Sequence, residues 1–599
     1  MSLANRQLFA MMLIIIVIII SSIISQAQSF SEIPGGFPSV YMSSSSWGDY
    51  DDDGDLDLLL QGFSSQFAAM TRLYRNNGDN SFTEIETDLP DVSDGSVDWG
   101  DYDNDGDLDI LILGQDNGLG VTNVFRNDGN STFSDIQIMA VPLFNGKGLW
   151  NDFDNDGDLD FVIAGSSVTR NTVSLLYRND GQDTFTEIAA GLTPLWRGSL
   201  DWGDYDNDGD ADLIMTGTNL THNPRTKLFR NDGEGNFNDV QAPFFNVTDG
   251  QAIWGDYDQD GDLDIILNGS DSSFLDAVSL IYRNNNDGTF TNIQATLAGA
   301  GEGSAISSGD YDNDGDLDFL MIGSMFGGTV LYSNDGNDNF TPDTSSIRDG
   351  CCGSINWGDF DNDRDLDLFI SGLMINPSRL YRNNVSETNN PPIQPQTTSV
   401  EVQGNQVRLN WYRTDDDLTL PAGLTYNIRV GTNPGGVDIV SPMAEIATGF
   451  RKIAKMGNVF QDTSWVIKNL TPGTYYWAVQ AIDNSFQGSP FSQEDSFVVG
   501  ISAAPENLDN QPNQFIIASN YPNPFNGRTI IKYILPEQSS VKLYIYNLSG
   551  ALVQTSYFQN QPAGANQFTW GASNMPSGIY YYKIQAGDSK AIGKMVYVK

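Results

Sequence analysis

The sequence predicts an all-β chain, a seven-bladed β-propeller followed by two β-sandwich domains. Three observations carry that prediction. The motif W-G-D-Y-D-N-D-G-D-L-D, followed by an apolar run and a glycine, recurs in seven copies between Trp47 and Asp367. The copies stand roughly fifty residues apart, the length of a four-stranded blade. Beyond Pro391-Pro392 the motif stops, and two stretches of alternating polar and apolar residues take over.

In chain order, residues 1–27 read as a cleaved secretory signal peptide. Arg6 precedes an unbroken apolar run from Leu8 to Ile20, and Ser25-Gln26-Ala27 supplies the small residues of a cleavage site. The run is shorter than the roughly 20 residues a membrane span requires, so no transmembrane anchor is expected after cleavage. No cysteine follows to take a lipid.

Residues 28–385 form the expected propeller. In the first copy Asp49, Asp51 and Asp53 occupy loop positions 1, 3 and 5, and Gly54 sits at position 6, where the chain must turn. Asp55 offers its backbone carbonyl from position 7, and Asp57 fills position 9. This is ligand spacing for calcium, which takes hard oxygen donors from a short loop. Leu60 stands where a helical calcium hand carries glutamate, so the loop belongs to a β-hairpin. The same positions are filled by Asp101, Asp103, Asp105, Asp107 and Asp109; by Asp152, Asp154, Asp156, Asp158 and Asp160; and by Asp204, Asp206, Asp208, Asp210 and Asp212. They are filled again by Asp256, Asp258, Asp260, Asp262 and Asp264; by Asp310, Asp312, Asp314, Asp316 and Asp318; and by Asp359, Asp361, Asp363, Asp365 and Asp367. A single acidic run is usually a solvated turn, but in-register repetition of carboxylates that repel one another argues for a resident cation. Up to seven Ca2+ ions are expected, the seventh in doubt because Arg364 replaces the glycine.

After each loop an apolar stretch such as Leu108 to Leu113 reads as a strand buried on both faces. A strand ending in L-Y-R-N follows, as at Leu73 to Asn76, and then a turn into a strand opened by phenylalanine, such as Phe133 or Phe185. Trp47, Trp99, Trp150, Trp202, Trp254 and Trp357 read as blade packing, with Ser308 breaking the series. The seventh copy runs out after Asn384 without a phenylalanine strand, while Ser29-Phe30-Ser31-Glu32-Ile33 resembles Thr184 to Ile188. The N-terminal segment is therefore expected to complete the last blade and remove an open sheet edge.

On these motifs, residues 29 to 385 resemble the FG-GAP-like (VCBS-type) repeats, which form seven-bladed propellers similar to the integrin α-subunit head. The resemblance implies calcium-holding loops and a role in adhesion or ligand binding, in some members beside an enzyme.

After a proline-rich linker at 386–397, residues 398–499 resemble a fibronectin type III domain. Trp411, Tyr426 and Leu470-Thr471-Pro472-Gly473 before Tyr475-Tyr476-Trp477 carry the likeness, with Tyr475 or Tyr476 supplying the tyrosine corner. A spacer role is expected. A second linker, 500–514, leads to residues 515–599, where Asn520 to Asn526, Val541 to Tyr546, Asn547-Leu548-Ser549-Gly550, Ser577 to Tyr582 and Lys594 to Lys599 are found. These motifs resemble the C-terminal sorting domain of the type IX secretion system, which implies passage across an outer membrane and a secreted or cell-surface location.

A net charge of −48 excludes nucleic acid as a natural partner. Two cysteines, Cys351 and Cys352, are adjacent, which suits a vicinal disulfide or two thiols. With His222 as the single histidine, no Ser-His-Asp or Cys-His set exists. An enzyme is disfavoured, a calcium-assisted polysaccharide lyase with Arg, Lys or Tyr as base remaining the alternative, beside a structural surface-layer role. The connections on the face opposite the acidic loops vary most between copies, and variable loops on a rigid scaffold are where recognition resides. Trp196, Phe244, Phe245, Phe274 and Phe326 in those connections are the candidate contacts for a glycan or an extracellular protein.

Overall fold

The computed structural model describes residues 30–599 apart from 169–170, 234, 273–275, 324–327, 344–346, 348–349, 351, 373–376, 501–515, 522–524, 536–537, 549, 563, 573–574 and 588. The signal-peptide expectation and the Phe274, Phe326 and Cys351 readings lie outside the described residues. The chain divides into two compact units, Met1–Ile501 and Ser502–Lys599.

The first blade runs from its inner strand outward as Val40–Gly48, Asp57–Ser64, Ala69–Asn76 and Phe82–Ile85, all antiparallel. Strand Asp57–Ser64 is buried through Gly62, as its unbroken apolar text requires of a strand covered on both faces. The same four-strand pattern repeats through Asp343, the second and third blades being joined by one added pairing of Leu143 with Val121. The seventh blade takes Ile355–Gly358, Asp367–Ile370 and Arg379–Asn383 from the end of the repeat and Phe30–Ile33 from its beginning. Phe30 pairs with Asn383 in the register in which Phe82 pairs with Asn76, so the early strand fills the outer place as expected.

Side chains close the same circle. The glycine of the W-G-D motif seats the tryptophan of the next blade wherever that blade has one: an added Cβ at Gly48 would meet the Trp99 ring at 2.7 Å, and one at Gly358 would meet Trp47 at 2.8 Å. The tryptophans are therefore core, as the sequence predicts. The asparagine ending L-Y-R-N also reaches one blade back, Asn127 Nδ2 donating to the Tyr50 carbonyl at 2.9 Å and Asn76 Nδ2 to the Phe360 carbonyl at 2.7 Å.

A backbone girdle, not foreseen from the sequence, rings the mouth of the central channel. Asp94 N–H donates to Met42 O (3.2 Å), Asn145 to Asp94 (2.7 Å), Arg197 to Asn145 (3.1 Å) and Asp249 to Arg197 (2.8 Å). Gly303 donates to Asp249 (3.1 Å), Cys352 to Gly303 (2.9 Å) and Met42 to Cys352 (2.7 Å), which closes the cycle. Every member has a left-handed backbone, φ running from 46° at Met42 to 75° at Gly303. The following glycine is required at several positions by close approach: an added Cβ at Gly95, Gly146, Gly198 or Gly250 would lie 2.1–2.2 Å from a carbonyl oxygen of the neighbouring strand.

Residues 396–499 form a sandwich of two three-stranded sheets around Trp411, Tyr426 and Trp477. Tyr475, not Tyr476, makes the corner, its hydroxyl donating to the Thr471 carbonyl at 2.6 Å. The domain packs on the propeller rather than standing apart from it. The long insertion between Thr425–Gly431 and Ser464–Ile467 lies against the acidic-loop face of the propeller, where Lys452 O accepts from Asp49 N at 2.9 Å and Ser441 N donates to Asn104 Oδ1 at 2.8 Å.

The second unit is a sandwich of its own, with a three-stranded sheet that includes Arg528–Leu535 and a four-stranded sheet that includes Gly578–Ala586. Its core holds Trp570, Tyr580 and Tyr582, and Tyr580 makes its own corner on the Pro576 carbonyl at 2.8 Å.

Because Thr216 O stands 2.1 Å from a Cβ added at Gly198, Gly198→Ala should lower unfolding stability by about 1–3 kcal/mol. Urea unfolding followed by tryptophan fluorescence checks this; an unchanged midpoint would show that the girdle yields freely.

Candidate metal centre and recognition face

Each acidic loop links an inner strand to the second strand of its blade and is folded by its own carboxylates. The position 1 aspartate accepts the amides of positions 5 and 6: Asp49 Oδ1 takes Asp53 N at 3.1 Å, and Asp49 Oδ2 takes Gly54 N at 3.2 Å. The position 9 aspartate is buried and ties the loop to the sheet, Asp57 taking Tyr50 N at 3.2 Å and Asn76 N at 2.8 Å.

Carboxylate oxygens then converge. In the first loop Asp49, Asp51 and Asp53 each place one oxygen within 4.8 Å of the others; Asp101, Asp103 and Asp109 do so in the second, with like sets in the third, fourth and fifth. The position 3 oxygens decide what the cluster is for. Asp154 Oδ1, Asp206 Oδ1, Asp258 Oδ1, Asp312 Oδ1 and Asp361 Oδ1 are buried without any hydrogen-bond partner, the same atom in five loops. A buried carboxylate oxygen with no donor is costly unless a cation faces it. The donor set is hard oxygen throughout and suits calcium, which takes six to eight oxygens at about 2.3–2.6 Å.

Electrostatics point the same way. Burial pushes the Asp49 carboxyl up to about 7 and the Asp57 carboxyl up to about 9, and Asp101, Asp256 and Asp359 are likewise raised to about 7 by burial. Burial thus disfavours bare negative charge on these carboxyls.

The position 7 side chains do something else. Asp55, Asp158, Asp210, Asp262, Asp316 and Asp365 accept an amide from the position 4 residue of a neighbouring loop, at 2.5–2.9 Å. The donors are Asn362, Asn104, Asn155, Asn207, Gln259 and Asn313. The first loop has Asp52 where an amide is needed, and Lys452 of the sandwich bridges instead, paired with Asp52 and donating to Gly106 O at 2.6 Å. Loop-to-loop links thus encircle this face as the girdle encircles the other.

The seventh loop keeps the shape of the rest. Arg364 takes φ 75° and donates its backbone N–H to Asp359 Oδ2 at 2.9 Å, the place glycine amides hold elsewhere. The cation that lies on a loop carboxylate there is Arg382, 2.5 Å from Asp361 Oδ2.

On the opposite face, Trp196 is half-buried beside the His222 ring, with the Arg197 guanidinium over it. Phe245 is exposed. Phe244 is not a surface aromatic: it is buried edge-on against Tyr282 and Phe290, because adjacent residues of an extended segment point opposite ways. Between girdle and sandwich lies a cavity of about 500 Å³ that Asp98, Lys147, Asp201 and Lys455 help to line. Lys455 pairs with Asp98 there.

Comparison with known proteins agrees with this architecture. Residues 49–112, 152–215, 256–321 and 310–370 match the FG-GAP-like repeat, and residues 519–599 match the Secretion system C-terminal sorting domain. No curated protein matches the chain. Similar solved structures include Penicillium chrysogenum alpha-L-arabinanase complexed with arabinobiose, at 9% identity and TM-score 0.33 over 59% of this chain and 97% of that one. Another is a two-fibronectin-type-III-domain segment from chicken tenascin, at 10% identity and TM-score 0.12 over 35% of this chain and 99% of that one. The chain thus carries FG-GAP-like repeats on a propeller ring, followed by a two-sheet β-sandwich and a secretion sorting domain. Its sorting domain makes it a cargo of the type IX secretion machinery, destined for the cell surface or the exterior. No helix among the described residues is long and apolar enough to cross a membrane.

The raised carboxyls give a pH signature with a fixed sign. An aspartate held near 7 or 9 in the fold titrates at about 3.9 when unfolded, so its contribution to metal-free stability is full below that value and lost as pH rises through the folded one. In chelator the melting temperature should therefore fall from about pH 5 to about pH 8, while the rise produced by added calcium grows over the same interval. A chelated protein that gains stability with pH would contradict it.

Proposed function

We propose that this protein is a calcium-stabilised surface propeller that binds a glycan or an extracellular protein through the face opposite its acidic loops, and so serves in adhesion or ligand capture. Calcium in the loops holds the blades in register and takes no direct part in recognition. The observation that carries the reading is an asymmetry between the two faces. Met42, Phe67, Leu119, Met139, Val168, Leu220 and Phe245 are the large apolar side chains most exposed among the described propeller residues, and all stand on the girdle face or its connections. The acidic-loop face is covered by the sandwich, which leaves the girdle face open to a partner. Apolar side chains grouped on one face of a soluble protein mark an interaction site.

One observation favours a second reading, a polysaccharide lyase. Burial lowers the Lys147 ammonium from its ordinary value, and the side chain borders the channel cavity, a setting suited to a general base. Turnover of an acidic polysaccharide that is abolished by Lys147→Met would establish it; binding without turnover would discard it.

A glycan and matrix-protein screen on the full chain, with calcium and with chelator, tests the binding reading. For whichever ligand is found, Phe245→Ala and Trp196→Ala should each weaken binding by about 1–3 kcal/mol, the scale of a lost aromatic anchor, with little change in melting temperature. Equal losses of stability and binding would make these rings packing groups, and unchanged binding would move the site off this face.

A further inference from the structure

The sandwich meets the acidic loops in two different ways. Toward most of them it presents donors or cations: the Ser441 side chain bonds Asp101, Gln487 Nε2 donates to Asp359 Oδ2 at 3.2 Å, and Lys452 sits on Asp52. At the fourth loop it presents an acid. The carboxyl of Asp462 lies within hydrogen-bonding reach of the Asp204 carboxyl, and a Cβ added at Gly209 would stand 3.7 Å from Asp462 Oδ2. No ion pair forms on Asp462 among the described residues; Lys468 spends its charge on Asp210 at 3.4 Å, and Arg230 stands 3.8 Å from Asp206 Oδ2. A buried and a half-buried carboxyl face to face favour a proton or a cation between them, the more distant Arg413 and Arg408 charges acting on Asp462 without bonding it. The fourth loop already has an unpartnered buried oxygen, Asp206 Oδ1, beside Asp204 and Asp212.

We propose that Asp462 is a ligand of the cation in the fourth loop, so that one calcium ion is held jointly by the propeller and the sandwich. The inference rests on the calcium reading above and deepens it. The fourth site gains a sandwich carboxylate within hydrogen-bonding reach of its position 1 aspartate, whereas at the sixth loop Asp483 acts on Asp310 through charge alone, and ligand charge is a main determinant of calcium affinity. The ion also becomes a clamp. Asp462 lies at the end of the insertion that covers the loop face, its backbone N–H held at 3.3 Å by Val459 O, and Phe460 packs in the cluster of Trp202 and Trp254. Filling the fourth site fixes that segment to the ring, and emptying it leaves two acids in contact there.

Calcium titration of the full chain by calorimetry, with native mass spectrometry for stoichiometry, tests this on wild type, Asp462→Asn and Asp462→Ala. The substitutions should weaken one site about tenfold or more and leave the others unchanged. Hydrogen exchange supplies a readout that needs no variant: calcium should slow amide exchange over residues 459–463 in the wild type, and Asp462→Asn should lose that protection while the loops of other blades keep theirs. Wild-type stoichiometry and affinity in both variants, or no calcium effect on 459–463, would overturn the clamp and leave a shared proton as the reason for the contact. A wild type that binds no calcium at all would instead overturn the underlying calcium reading.

Discussion

Carboxylates gathered on one face of a ring repel one another, and the rest of this structure is arranged around that repulsion. The loops cannot be moved apart, because the position 9 aspartates are buried between strands and hold the turn and the L-Y-R-N strand by their amides. Nor can they be left bare, since several position 3 oxygens have no donor. The divalent cation we propose for these loops would resolve both conditions and turn a source of strain into a rivet between the first and second strands of a blade. The amide links between loops and the sandwich laid across them would then operate on a face whose charge is largely neutralised.

Ring closure is distributed over independent devices, which explains how a propeller of single-chain repeats avoids an open edge. The early strand Phe30–Ile33 completes the last sheet, tryptophans seat on glycines of the preceding blade, and the backbone girdle runs unbroken through Met42 and Cys352. The girdle adds one contact per blade and the tryptophans add one at most junctions, so the early strand of the last blade does not carry the closure alone. With both rims fixed, loops from different blades keep constant spacing on the open face, which a multi-loop recognition surface requires.

Most of the fold was legible in the sequence because blade packing is repetitive: a role repeated at fixed spacing can be read without coordinates. The closing strand was legible for the same reason, since Phe30-Ser31-Glu32-Ile33 copies a text seen elsewhere. The girdle left a readable trace that the aspartates overshadowed, a residue at one fixed offset before the first loop aspartate, as Asp94 stands before Asp101 and Asp249 before Asp256, followed by glycine in most copies. Docking of the sandwich was not legible. Its contacts come from an insertion without periodicity, and Lys452 and Asp462 look like ordinary surface charges until their distant partners are known. Phe244 and Phe245 could not be told apart for a related reason, because a loop has no period to say which of two neighbours points inward.

The most direct test of the account is a crystal structure of the secreted protein grown with calcium and examined at a wavelength where calcium scatters anomalously. The account requires anomalous density in the acidic loops, with Asp154 Oδ1, Asp206 Oδ1, Asp258 Oδ1 and Asp312 Oδ1 each about 2.3–2.6 Å from an ion. Loops that hold only water, with those oxygens still unpartnered at saturating calcium, would contradict it.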